Sequence, residues 1–273
     1  MDAKPNVGRG RSESWRAFVL IAVLGGGACS QRVNLGEIGD GPASLLWKAT
    51  FEPGNLSEWN GDGHGKAYSA NNAPATSAVA TTAMAHGGSM SGVVGVVPSN
   101  GMPAVSYLAR NQPSPSAAYY SAWFYVPSTL SLTTGQYLSL VHFQDDSQPT
   151  PLWDVNLYPV GDGTVAAQLY DYPSKNSANG FDLQQFPVIR YPLDRWVQIE
   201  VFLSKAIDAT GRVTVWQDGA QILDRPKVVT VLSLDSLQWD VGGGSAGLAS
   251  GSVDVYVDDA AISLARLGPD AAL

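Results

Sequence analysis

Six residues at alternating positions in three short segments carry the strongest chemical signal in this chain: His142 and Gln144, Asn156 and Tyr158, Gln168 and Tyr170. Within each segment the two share a parity, so an extended backbone presents both on one face. If the three segments are neighbours, one sheet face carries a histidine, two tyrosines and three amides. Such a set is equipped for β-elimination from a uronic acid. An amide or arginine neutralises the carboxylate, a histidine or tyrosine takes the adjacent carbon-bound proton, and a tyrosine protonates the leaving oxygen. His142, Asn156, Tyr158 and Tyr170 are the catalytic candidates for that reaction. Without any reaction, the same groups suit sugar hydroxyls and pyranose rings, with Gln144, Gln168, Arg110 and Arg190 as further ligand-binding candidates. A solvated sheet face whose polar residues merely alternate gives the same pattern.

Other chemistries find less support. Residues 243–247, GGSAG, match a nucleophile elbow around Ser245, a motif that needs a strand–turn–helix and a histidine downstream. The last histidine is His142 and no helical period follows, so the segment reads as a glycine loop. Glycosidases need paired carboxylates, yet the parity neighbours of Glu200 are Gln198 and Phe202. His64 and His86 sit in glycine-rich loops, without the spacing of metal ligands, and read as solvated.

The elements that must position these groups are strands. Of 273 residues only 15% are charged, against about 25% in ordinary globular proteins. Glu and Lys, the surface-helix formers, are scarce, whereas Gly (29) and Pro (17) are plentiful. Period-2 alternation recurs at residues 119–126, 137–144, 153–158, 165–170, 196–203 and 253–258. Leu138 and Leu140 fall on the parity of His142 and Gln144. Residues 212–217 and 220–223 flank Asp218-Gly219, a type I′ hairpin signal. The expected fold class is all-β, a two-sheet antiparallel β-sandwich of the jelly-roll kind. A formal charge of −8 excludes a nucleic-acid footprint.

The first 28 residues read as a signal peptide. Lys4, Arg9, Arg11 and Arg16 precede an apolar run from Ala17 to Leu24, then small residues up to Cys29. That run is too short to span a bilayer. The context of Cys29 resembles the lipobox of bacterial lipoproteins, although Gly26 stands where those proteins usually carry Leu. The resemblance implies lipidation at Cys29, a membrane partner reached through that lipid, and residence at the outer membrane or cell surface. Ordinary cleavage after Ala28 gives a periplasmic or secreted protein instead. Residues 29–44 read as the lipid-attached tether, 45–267 as the jelly-roll domain and 268–273 as a tail. Loss of residues 1–28 removes four bases and two acids and deepens the charge to −10.

Residues 51–59 (FEPGNLSEW), 196–224 (WVQIEVFLSKAIDATGRVTVWQDGAQILD) and 253–263 (VDVYVDDAAIS) resemble the concanavalin A-like lectin/glucanase superfamily. Within it they are most similar to laminin-G-like jelly rolls and heparin-lyase-like polysaccharide lyases. LVHFQ, residues 140–144, resembles the Gln/His strand of some of those lyases. The resemblance implies a polysaccharide partner. It also implies first and last strands side by side, with a structural Ca²⁺ held by Glu52, Asp258 and Asp259; no organic cofactor is expected. The leading expectation is an exported, lipid-anchored jelly roll that binds a polysaccharide without cleaving it. A lyase acting on a uronate-containing glycan is the alternative, and a non-catalytic surface assembly module is a second one.

Overall fold

The computed structural model describes residues 45–70, 78–98, 103–111, 114–147, 150–172, 181–235, 237–271 and 273. The signal peptide, Cys29 and the tether lie outside the described residues. In chain order the first strands are β1 (Leu45–Ala49), β2 (Gly65–Ala70), β3 (Val79–Thr81), β4 (Ser91–Val96) and β5 (Ala104–Arg110). Then come β6 (Ala117–Tyr125), β7 (Leu138–Asp145), β8 (Thr150–Gly161), β9 (Thr164–Asp171), β10 (Phe181–Gln184) and β11 (Arg190–Tyr191). The last are β12 (Trp196–Ser204), β13 (Gly211–Gln217), β14 (Ala220–Val228), β15 (Gln238–Ser245) and β16 (Val253–Ser263). A four-residue helix, α1 (Ser57–Asn60), is too short to leave a period in the sequence.

These strands form two antiparallel sheets. One runs β14-β13-β12-β6-β16-β4-β3, with β1 also paired to β16. The other runs β10-β9-β8-β7-β15-β5-β2, with β11 also paired to β9. The β-sandwich expected from alternation is therefore the observed fold. Alternating residues supply the core: Val155 and Leu157 of β8, Val197 and Ile199 of β12, and Val255 and Val257 of β16 all lie in one buried cluster. Asp218 and Gly219 both have positive φ, as the type I′ turn between β13 and β14 requires.

The first and last strands do lie side by side. On one edge of β16, β4 pairs with residues 253–257 and β1 takes over from 260. Asp258 and Asp259 occupy the handover, where the register with β6 also slips. A bulge there leaves ladder groups unpaired, and the two carboxylates serve the neighbouring loop.

Candidate functional site

The strands β7, β8 and β9 are consecutive neighbours in the second sheet, which brings the sequence-predicted residues together. Directly opposed residues on antiparallel strands point to the same side. One row across the outward face reads Asp240, His142, Asp154, Tyr170. The next reads Ser139, Asn156, Gln168, Gln184. A third places Tyr158, Ala166 and Arg190 in line.

One conflict had to be solved to build this face. Leu138 and Leu140 share the parity of His142, so an unbroken strand could not bury the leucines and expose the histidine. A register shift between Ser139 and Val141 inserts the extra residue. Leu138 and Leu140 go to the core, fully buried, while His142 turns outward. A second shift, between Phe143 and Gln144, follows at the far end of the strand.

His142 is held by four groups. Its Nδ1 meets Asp154 Oδ1, Gln144 accepts from the ring, Asp240 acts through its charge, and the ring of Tyr107 lies parallel at 5.8 Å between centroids. Burial disfavours the charged imidazole, yet the two carboxylates and the amide outweigh it and raise its pKa to about 9. Asp154 Oδ2 accepts from the Tyr172 hydroxyl at 2.8 Å. Asp240 is fully buried, receives Tyr68 Oη at 2.8 Å and Gln238 Nε2 at 2.7 Å, and is pushed up to about 6 by desolvation, with His142 opposing. Tyr68 and Tyr172 are raised by burial and then by their partner carboxylates, so both remain neutral donors.

Beside this network opens a cavity of about 400 Å³. Its side chains include Tyr137, Tyr158, Tyr170 and Tyr172, with Gln136, Asn156, Gln168 and Gln184. The Tyr170 and Tyr172 rings meet edge to face at 4.6 Å. Asn156 Oδ1 and Tyr158 Oη are buried and lack a hydrogen-bond partner. Leaving such atoms unpaired is costly, and these two, among the described residues, border the cavity.

Glycines in β15 make room for Tyr107. Residues 243–247 are expected in a glycine loop, but 243–245 belong to the central strand β15 between β5 and β7. Gly242 has φ +144°, and a Cβ there would come within 2.5 Å of Ser106 O. A Cβ on Gly244 would strike the Tyr107 hydroxyl, so its absence lets Tyr107 lie over the strand against His142. Ser245 is a buried strand residue whose Oγ donates to Tyr137 O at 2.6 Å, a structural role.

Both arginine candidates sit away from the cavity. Arg110 is 2% exposed and its guanidinium lies 4.7 Å from the Trp47 ring, bonded to Trp59 O at 2.6 Å and paired with Asp62. Trp239, its cross-strand partner, lies in the core, so Arg110 is on the opposite face from the cavity. It is a structural cation and the ligand-binding expectation is corrected. Arg190 is exposed on β11, where it lines a neighbouring depression with Val160 and Val188.

The three metal candidates converge on the loop at residues 84–90. Glu52 Oε1 accepts the N–H groups of Ser89 (2.8 Å) and Met90 (2.9 Å). Asp258 accepts those of His86 (2.8 Å), Gly87 (3.2 Å) and Asp259 (2.8 Å). Asp259 Oδ2 lies 2.7 Å from His86 Nδ1. Among the described residues no group of three His, Cys, Asp or Glu is arranged to hold a metal ion. Glu52 and Asp258 set their oxygens on backbone donors and Asp259 sets Oδ2 on His86, so the three carboxylates latch the loop. His86 is more than a solvated loop residue, since its ring stacks on Trp123 at 3.7 Å. Glu200, fully buried, bonds Leu267 N at 2.7 Å and Arg266 Nε at 3.1 Å, anchoring the chain end.

Sequence reasoning missed Asp154, Asp240, Tyr68, Tyr107, Tyr137 and Tyr172 as members of the site. Asp154 shares the parity of Asn156 and Tyr158, and Tyr172 that of Tyr170, so both were visible. Tyr68, Tyr107 and Asp240 belong to strands whose neighbours no local pattern reveals.

No protein-family model matches the chain, and no curated protein matches it in sequence. Solved structures do. An endo-β-1,4-glucuronan lyase from the fungus Trichoderma reesei superposes with a TM-score of 0.56 at 14% identity, covering 84% of this chain and 100% of that one. A cellulose-induced protein, Cip1, gives 0.55 at 17%, covering 81% and 98%. An alginate lyase from Aplysia kurodai gives 0.54 at 12%, covering 81% and 99%. At such identities the shared property is the fold. The chain is a two-sheet antiparallel β-sandwich of the jelly-roll kind.

Proposed function

We propose that the outward face of the second sheet binds a polysaccharide, and that it does so without cleaving it. The observation that carries this reading is the cavity beside β8 and β9, lined by tyrosines and amides, with Asn156 Oδ1 and Tyr158 Oη buried and unpartnered. Amides satisfy hydroxyls and aromatic rings pack on the C–H faces of pyranoses. Export with lipidation at Cys29 belongs to the same proposal, and Cys29→Ser is expected to move the protein from membrane to soluble fractions.

Cleavage by β-elimination is the second reading, favoured by the Tyr172–Asp154–His142 chain that reaches the cavity wall. The protonation states oppose it. A base must be free to accept a proton near neutral pH. His142 is held in its charged form, Tyr172 donates to Asp154, and Tyr158 is raised by burial. Asp154 and Asp240 are each occupied by two partners.

The deciding experiment incubates residues 29–273 with alginate, glucuronan, heparin and pectin and follows unsaturated product in the ultraviolet, alongside retention on neutral polysaccharide columns. Retention without product is expected, and Tyr158→Phe should weaken it by about fivefold, the worth of one hydrogen bond of about 1 kcal/mol. Product that His142→Ala abolishes would establish the lyase. Neither retention nor product would leave the assembly module.

A further inference from the structure

We propose that the cavity beside β8 and β9 takes an uncharged sugar residue, so that the ligand is a neutral glycan and not a polyuronate. This rests on the glycan-binding reading above and specifies it.

Hydrogen-bond polarity gives the first argument. Asn156 Oδ1 is an acceptor, buried and unpartnered. A sugar hydroxyl donates to it; a carboxylate, which only accepts, leaves it unsatisfied and adds repulsion. Tyr158 Oη, buried and equally unpartnered, both donates and accepts, as a hydroxyl partner requires.

Charge gives the second. Among the described residues no cation lines the cavity. His142, a cation on this face, stands between Asp240 and Asp154 in the same row, so its charge is already spent on two carboxylates. Tyr172, part of the cavity wall, places its hydroxyl 2.8 Å from Asp154. The field reaching the cavity is therefore negative, and a uronate entering it would shed water without meeting a counter-charge. Lys66 lies toward the far edge of the sheet, its Nζ 5.7 Å from the centre of the Tyr68 ring. Arg190 lines the next depression. Size is suitable as well: about 400 Å³ lies within the range of small-ligand sites.

The test uses matched oligosaccharides that differ in charge alone. Binding of residues 29–273 to β-1,4-linked gluco- and manno-hexamers is measured by calorimetry against the corresponding glucuronate and mannuronate hexamers. A neutral hexamer is expected to bind at least tenfold more tightly than its uronate, with less than a twofold change between 50 and 500 mM NaCl. Gln184→Lys, at an exposed position on the cavity rim, is expected to narrow that preference by about fivefold by strengthening binding of the uronate hexamer. Tighter binding of a uronate, or affinity that falls steeply with salt, would overturn the neutral assignment while leaving glycan binding intact. If no hexamer or longer glycan of either kind binds, the glycan-binding reading itself falls.

Discussion

The charge on His142 offers the sharpest check of the site's electrostatics, and Asp154→Asn is the perturbation that isolates it. Asparagine keeps one carbonyl acceptor for the imidazole, sets its amide N–H against the Tyr172 hydroxyl, and removes the negative charge. With that charge the histidine is raised from 6.5 to about 9 in the folded protein. A raised folded pKa means the native state binds the proton more tightly, so the contribution is complete below pH 6.5 and is lost as pH rises through 9. The 2.5-unit difference corresponds to about 3 kcal/mol at 1.36 kcal/mol per unit. Without Asp154 desolvation of the buried ring is opposed only by Asp240 and Gln144, and the ring should titrate well below its wild-type value. Urea unfolding from pH 7 to 10 should therefore show the wild type about 3 kcal/mol more stable than Asp154→Asn at pH 7, with the gap closing toward pH 10. Groups such as Asp258, pushed up to about 7 by burial and then by Asp259, titrate in both proteins and cancel in the difference. In parallel, proton NMR follows the ring signals of the three histidines, with His142 assigned through His142→Gln. A wild-type His142 that titrates below pH 7, or two stability curves that stay parallel, would refute the reasoning.

Three further outcomes are expected. Gly242→Ala should cost about 2–4 kcal/mol in unfolding free energy, because the added carbon meets Ser106 O within a strand at φ +144°. Arg110→Ala should destabilise by about 3 kcal/mol, since Trp59 O and Asp62 lose their donor. It should leave glycan affinity unchanged, and a selective loss of binding would return Arg110 to the site. Chelator in excess should leave the melting temperature where it is, because backbone N–H groups already occupy Glu52 and Asp258. A drop that Ca²⁺ restores would reinstate the calcium expectation.

Much of the sandwich was legible because alternation is a direct consequence of burying one face of a strand. β6, β8, β9 and β12 announce themselves that way, and Asp218-Gly219 fixes the hairpin between β13 and β14. β15 escaped notice for a physical reason. Its Gly242–Gly244 run has no side chains to show a period, and the space they leave is filled from outside by Val96 and Tyr107. A strand whose packing is supplied by its neighbours carries its signal in their sequences. α1, four residues long, escaped in the same manner: Trp59, buried on it, has its carbonyl tied to Arg110 fifty-one positions away.

The candidate site was half legible, and the division falls between parity and adjacency. Parity within a segment is local, so Asn156 with Tyr158, and Gln168 with Tyr170, were correctly grouped before any fold was known. Adjacency is global: only the order β9-β8-β7-β15-β5 brings Asp240 to one side of His142 and Asp154 to the other. That placement changes the chemistry, because the two flanking carboxylates raise the histidine to about 9 and favour its charged form. Even the orientation of His142 was not local. Its parity with Leu138 and Leu140 sends either the leucines or the imidazole to the wrong face of a regular strand. The bulge between Ser139 and Val141 resolves the conflict by one inserted residue. In a regular strand of the same residues, keeping Leu138 and Leu140 in the core would send His142 there too, where neither Asp154 nor Asp240 could reach it. The polar network on the face and the apolar packing behind it thus depend on the same irregularity in β7.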